Sequence, residues 1–531
     1  MNEAFLGIDL GTSSVKAVLV SGGRSVQQSS AAYPSQDMEG YKAAVVKALD
    51  GISGKDGIAA VGLSSQTGTY VVNDKYILPW KGKEGMQELL EIKNKYSREV
   101  FLRETGMDHP ELTSYPLPKL LYGKRKLGEI RSFCQLKDMI CEMLTGKKVS
   151  DPFTWRGLAN TGTCVYSDFL LEALGINKEI LPPLMTPWDI AGKVTPAAER
   201  ETGLRAGTPV YTGLNDYFAA LLGIGAVNYG DWFDITGTSE HLGCIEKGII
   251  SDTQLISGPY ITGFVHYGVT ASTGDALSFG RRVFAEQTGT ERLTEEHIRN
   301  APVFLPYLSG RRSPCPDPGA LGSFNEIRGS TGPEDMAYSV LEGVAFSLYH
   351  IFDTVEKESS IESTADRNRS REMTVGPEEK RHLRNEDTCR PGEADRKSNG
   401  DNCGPGEADR KSNGDNCGSG EAERKSNGDN CRPDENDRKA IRVCGGAAVN
   451  PVLNRLKAEL FGAPLLLMEE KNASAFGAAL AAMIGEGAAA DLSEVREMCR
   501  ISDVIYPEGK LRDVLMERYR RFLEYAGFEC G

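Results

Sequence analysis

The sequence predicts an α/β fold in which helices flank a sheet and the core is duplicated. Two observations carry this. Strand-like and helix-like runs alternate along all but one segment of the 531 residues, and such alternation packs helices onto a sheet. A short pattern (apolar-Asp-apolar, then Gly-Thr-Ser) occurs near the start and again more than two hundred residues later, at Asp9 and at Asp234. Hydrophobic residues at 40% and charged ones at 26% supply a large core, and at about 150 residues per domain the length allows three or four domains.

Strands are expected at 4–10, 15–20, 58–64, 208–213, 232–236, 260–266 and 441–444, and helices at 40–49, 167–174, 216–224, 334–357, 450–461, 473–485 and 508–525. The first two strands are apolar runs separated by Gly11-Thr12-Ser13-Ser14. The strand from 208 ends at Gly213, and a helix follows Asp216. The strand from 441 runs through Gly445 and Gly446 into a helix starting near Pro451, and Gly485-Glu486-Gly487 ends the Ala-rich helix from Ala473. From 358 to 439 aliphatic and aromatic residues almost vanish. There CRPGEADRKSNGDN recurs with small changes, each unit opening on Cys389, Cys403, Cys417 or Cys431. Such a segment cannot bury enough apolar area to fold alone and reads as a disordered insertion in a loop. One Cys per unit lacks the paired spacing of a zinc site. The remaining eight cysteines are scattered through apolar stretches, as reduced buried thiols are.

A net charge of −14 argues against nucleic acid or an anionic membrane as the main partner. The first ten residues show no secretory pattern, and no run approaches the roughly 18 apolar residues of a membrane helix. A cytoplasmic location is expected.

Four places hold candidate chemistry. At Asp9 to Lys16, Gly11 permits a tight turn, and Thr12 and Ser13 offer N–H and hydroxyl groups to phosphate oxygens. Asp9, ending an apolar strand, is placed to hold a phosphate-bound Mg²⁺; a plain hairpin with an acidic end is the other reading. Gly237-Thr238-Ser239 repeats the device, so two hairpins facing one cleft would clamp a polyphosphate. Gly445-Gly446-Ala447 through Asn450 would let a ligand approach the backbone, or simply pack strand on helix, with Asn450 as a helix cap. Asp216 is either a helix cap or a general base for an attacking hydroxyl.

In this order the elements resemble the FGGY carbohydrate kinase family across 3–357 and 440–525. Asp9-Leu-Gly-Thr-Ser-Ser14 looks like its first phosphate motif, Ala60 to Gln66 its substrate-side strand, and Leu144-Thr145-Gly146 with Asp151 its mid-domain signature. Gly213-Leu-Asn-Asp216 falls at the catalytic aspartate, Phe304 to Gly310 at a second-domain signature, and Phe476-Gly-Ala-Ala479 closes the pattern. The resemblance implies two actin-like (ribonuclease H-like) ATPase domains flanking a central cleft: an N-terminal domain at 1–228 and a C-terminal one at 229–357 plus 440–490. The insertion at 358–439 and a C-terminal helical extension at 491–531 complete the chain. It implies ATP and Mg²⁺, with Asp9, Gly11, Thr12, Ser13, Lys16, Gly237, Thr238, Ser239, Gly274, Gly445, Gly446, Ala447 and Asn450 toward the nucleotide, Asp9 and Asp216 toward the metal, and Asp216 as base. Gln66, Thr67 and Asn215 are the expected sugar contacts.

The chain departs from the family on the sugar side. Many pentulose kinases carry Gln-Met-His-Gly where this chain has Gln66-Thr67-Gly68-Thr69, and Trp-Asn-Asp-Gln-Arg where it has Trp80 to Glu84. Gly-Glu-Arg-Thr-Pro becomes Gly310-Arg311-Arg312-Ser313-Pro314. A ketose such as a pentulose, or a polyol, is the expected substrate, and a homodimer is compatible with the reading. The rivals are an actin-like chaperone or assembly ATPase and a catalytically silent sugar-binding regulator. Removing residues 362–438 is predicted to leave turnover intact in a steady-state kinase assay; loss of turnover in a still-folded deletion would contradict the insertion reading.

Overall fold

A computed structural model describes residues 3–237, 239–251, 253–284, 293–369 and 439–528, with backbone alone at 361–369. Two sheets organise it. The first contains β1 (Ala4–Leu10), β2 (Ser14–Ser21), β3 (Arg24–Ala32), β4 (Ile58–Ser65), β5 (Ile190–Lys193) and β6 (Pro209–Asn215), in the spatial order β5-β6-β4-β1-β2-β3. The second contains β7 (Trp232–Thr236), β8 (Glu240–Glu246), β9 (Ile256–Tyr260), β10 (Gly263–Val269), β11 (Ile441–Gly445), β12 (Leu465–Met468) and β13 (Ile501–Ile505), in the order β9-β10-β8-β7-β11-β12-β13.

The duplication inferred from two short motifs extends to whole sheets. β1 is antiparallel to β2 and parallel to β4, which is parallel to β6, with β5 antiparallel at the edge. β7 is antiparallel to β8 and parallel to β11, which is parallel to β12, with β13 antiparallel at the edge. Central β1 is buried from Phe5 through Leu10, as expected of a strand with both faces covered.

Several expectations change. Residues 491–531 are not a helical extension alone. They supply β13, the counterpart of β5, and a helix Arg512–Tyr525 whose Val514, Leu515, Tyr519 and Phe522 enter the second lobe's core. The helix expected to end at 357 runs Pro333–Arg369, so the segment read as disordered begins with at least one anchored residue. Glu358 accepts a hydrogen bond from Gln254 N at 3.1 Å and lies 2.9 Å from His266 Nε2. The repeats fall outside the described residues. The run at 260–266 straddles the turn between β9 and β10 rather than forming one strand. β3, rich in Gln and Ser, lies at the sheet edge, alternating between exposed and half-buried positions along most of its length.

Two helices tie the lobes together. Asp216–Gly223 follows β6, and Ala473–Glu486 follows β12. They pack backbone to backbone: a Cβ on Gly477 would sit 1.8 Å from Ala219 O, and one on Gly223 would sit 2.1 Å from Ala473 O. The Ala-rich helix also lies on the first sheet, where Cβ atoms on Gly7 and Gly62 would come within 1.8 Å of the Ala475 and Ala478 carbonyls. Only glycine fits such contacts. We expect Gly62→Ala to destabilise the fold by about 1–3 kcal/mol, the usual cost of overpacking, read from the urea midpoint; an unchanged midpoint would contradict this close approach.

Candidate active site

β1 and β2 are joined by a turn closed by Gly11 N donating to Ser14 O at 3.1 Å. It leaves the Thr12 and Ser13 side chains exposed at the tip. The matching turn between β7 and β8 carries Gly237 and Ser239; Thr238 lies outside the described residues. A cavity of about 260 Å³ lies between these turns and the end of β6. Among its lining residues are Thr12, Gln66, Thr67, Asp216, Gly237 and Ser239, six of the expected site residues.

Asp216 opens the helix after β6. Its Oδ1 accepts three hydrogen bonds: from Thr67 N and Thr67 Oγ1, each at 2.9 Å, and from Tyr217 N at 2.8 Å. Among the described residues no hydrogen bond reaches Oδ2. Those donors favour the carboxylate, yet burial and the nearby charge of Asp9 outweigh them and push Asp216 up to about 7. Asp9, 4% exposed, accepts from Ser64 Oγ at 2.7 Å, and burial raises its pKa too, against that bond and the positive charge of Lys16. Tyr33 donates to Gly11 O at 2.7 Å and is raised by burial and by both aspartates.

The second hairpin is wired differently. Asp234, the counterpart of Asp9, lies 2.8 Å from Lys457 Nζ, which also pairs with Glu240. All three are fully buried. Burial, then the Asp234 charge, pushes Glu240 up to about 8. The duplicated acid is therefore neutralised beneath its own turn, and the acidic pole of the cavity belongs to the first lobe.

Other expected residues fall outside the cavity wall. Asn215 caps the helix, its Oδ1 accepting from Phe218 N at 2.9 Å, while its buried Nδ2 has no hydrogen-bond partner among the described residues. Gly445 has φ 99°, and a Cβ there would lie 2.0 Å from Thr236 O; Thr236 Oγ1 accepts from Ala447 N at 2.9 Å. That pair stitches β11 to β7. Gly446 is exposed with open space around it, and Asn450 caps the helix Pro451–Phe461 through Leu453 N. Gly274 is the second residue of the helix Thr273–Phe284. Lys16 lies on β2, in register with Asp9.

Sequence reasoning missed other residues of the cavity lining: Arg156, Tyr217, His241, Tyr267 and, as a site residue, Arg312. The Tyr217 ring lies 5.1 Å from His241 and 4.9 Å from Tyr267. The available signals were Asp151, five residues before Arg156, and the altered Gly310 to Pro314 segment.

Two lobes with matching sheets around a cleft define an actin-like ATPase-type fold. Residues 4–223 match the N-terminal domain, and residues 235–486 the C-terminal domain, of the FGGY family of carbohydrate kinases. The chain belongs to that family and is a carbohydrate kinase. Over 389 residues it is 26% identical to the xylulose kinase of Bacillus subtilis, covering 65% of this chain and 76% of that protein. The gluconokinase of the same organism is 28% identical over 400 residues, covering 66% and 77%. Among solved structures, a ligand-bound xylulose kinase from Lactobacillus acidophilus superposes with a TM-score of 0.73 at 22% identity, covering 99% of this chain and 98% of that one. Among the described residues no helix is long and apolar enough to cross a membrane.

The raised pKa of Asp216 has a stability consequence. The folded pKa near 7 exceeds the unfolded 3.8, so the unfolded state binds fewer protons between those values and stability falls as pH rises through that window. Above pH 7 the full cost is present, up to about 4 kcal/mol at 1.36 kcal/mol per unit. Asp216→Asn keeps an acceptor for the three donors and removes the charge. It is expected to raise the melting temperature at pH 8, with the gain vanishing below pH 4; a lower melting temperature at pH 8 would contradict the assignment.

Proposed function

We propose that Asp216 is the general base for transfer of the γ-phosphoryl group of Mg-ATP to a hydroxyl of a small carbohydrate bound in the cavity. The carrying observation is the geometry of Asp216: one oxygen held by three donors, the other left over, in a cavity bounded by both phosphate-type turns. A base with a pKa near 7 matches neutral operating pH. The acceptor oxygen attacks the γ-phosphorus, its proton passes to Asp216 Oδ2, and the bond to the bridging oxygen breaks to leave ADP. The Thr12 and Ser13 turn and the Gly237 to Ser239 turn hold the phosphates from opposite lobes. Gly274, Gly446 and Asn450 are proposed to face the nucleotide, while Gln66 and Thr67 position the acceptor.

Asp9 and Asp216 fit a divalent cation. Both are raised by burial, and each lacks a neutralising ion pair among the described residues. Mg²⁺ held by one or two carboxylates and substrate phosphates is the usual arrangement, and it would offset charge on the phosphates. Xylulose and gluconate, named for the relatives, join the polyols as acceptors to screen.

Acceptor-dependent ADP release is expected to show kcat/KM rising with pH through an apparent pKa near 7. Asp216→Asn is expected to lower kcat by about 10²–10⁴-fold with ATP affinity retained by calorimetry. Near-normal transfer in that variant would overturn the role of Asp216 as base.

A further inference from the structure

The cavity that Asp216 lines also carries two arginines, Arg156 and Arg312. Arg156 is 6% exposed. Its guanidinium lies over the rings of Phe218 at 4.9 Å and Tyr115 at 5.6 Å. Gly258 on β9 packs against it, Nη1 lying at van der Waals distance from where a Cβ there would be. Among the described residues no carboxylate lies within ion-pair distance of Arg156, and Nη1 has no hydrogen-bond partner. The hydroxyls of Tyr115 and Tyr217, two more lining residues, are also buried and unpartnered. Arg312 reaches the same region from the other lobe, likewise with no carboxylate partner among the described residues. Both guanidiniums act on His241: burial, then Arg312, then Arg156 pushes it down to about 3, so it stays neutral.

A buried guanidinium without an anion is costly, and proteins pair such charges. Here a fixed cation, two free phenols and a second arginine surround space that a substrate must fill. A neutral ketose or polyol would leave both charges uncompensated.

We infer that the acceptor carries a carboxylate: the cavity takes a sugar acid of the aldonate type, its carboxylate between Arg156 and Arg312 and its reacting hydroxyl at Asp216. This rests on the kinase reading above and narrows the acceptor expected from sequence. Phosphoryl transfer is unchanged: the hydroxyl proton goes to Asp216, the new P–O bond forms at that hydroxyl, ADP leaves, and the carboxylate takes no part in bond making. Arg156 is a binding residue for the far end of the substrate.

The test measures ADP release by the full-length enzyme with Mg-ATP and D-gluconate, D-xylulose or ribitol. D-Gluconate is expected to exceed both neutral acceptors in kcat/KM by at least about tenfold, the effect of one charge-assisted hydrogen bond. Arg156→Met is expected to raise KM for D-gluconate by roughly ten- to a hundredfold with kcat little changed, and Arg156→Lys to recover part of that loss. KM for the neutral acceptors should move far less. Wild-type isothermal calorimetry with D-gluconate and D-xylulose reports the same preference without any variant. Preference for D-xylulose or ribitol, or equal losses on all acceptors in Arg156→Met, would overturn the carboxylate inference and leave the kinase reading standing. No ADP release with any of the three would overturn both.

Discussion

The backbone contact between the helices Asp216–Gly223 and Ala473–Glu486 is the constraint on which the site depends. Each helix follows the second parallel strand out from the centre of its sheet, β6 or β12, and they meet where glycine and alanine leave no room for side chains. The Ala-rich helix grows from the second lobe yet lies on the first sheet through Gly7 and Gly62. One element therefore belongs to the packing of both lobes. This holds the β1–β2 and β7–β8 turns on a common cavity and sets Asp216 at its wall. A side chain at Gly477 or Gly223 would force the helices apart by ångströms, a shift large enough to uncouple positioned groups.

Charge then separates what the duplication made equal. Asp9 and Asp234 hold corresponding places, but Lys457 answers Asp234 from within the core. Among the described residues Asp9 has only a serine hydroxyl and the more distant Lys16. Its uncompensated charge adds to burial at Asp216 and keeps that carboxyl near neutrality despite three donors on one oxygen. Elsewhere in the cavity lining the imbalance is reversed, Arg156 and Arg312 having no carboxylate partner among the described residues. The cavity lining thus carries charge of both signs, to which a ligand bearing a carboxylate and a reacting hydroxyl is complementary.

What could be read from sequence follows from how local each signal is. The two hairpins were legible because turn glycines, hydroxyls and flanking apolar strands lie within eighteen residues or fewer. Asp216 was legible as a strand-to-helix junction. β13 was not: five residues of mixed polarity at a sheet edge have no periodicity strong enough to distinguish them from a helical tail, and the topological equivalence to β5 exists only in three dimensions. Asn215 and Asn450 carry motif positions, but their side-chain oxygens are occupied by helix capping, a competition no motif reports. Arg156 was invisible because its importance comes from Phe218 and Tyr115, both distant in sequence. The helix through Arg369 was cut short because composition changes at 358, whereas Glu358 is held by Gln254 N and His266.

A crystal structure with Mg²⁺, a non-hydrolysable ATP analogue and a phosphorylatable sugar would probe the central claim most directly. The γ-phosphate is expected between the Thr12 and Ser239 turns, with the acceptor hydroxyl in line with it and within hydrogen-bonding reach of Asp216 Oδ2. A terminal phosphate seated away from either turn, or a reacting hydroxyl served by another side chain while Asp216 faces elsewhere, would contradict it.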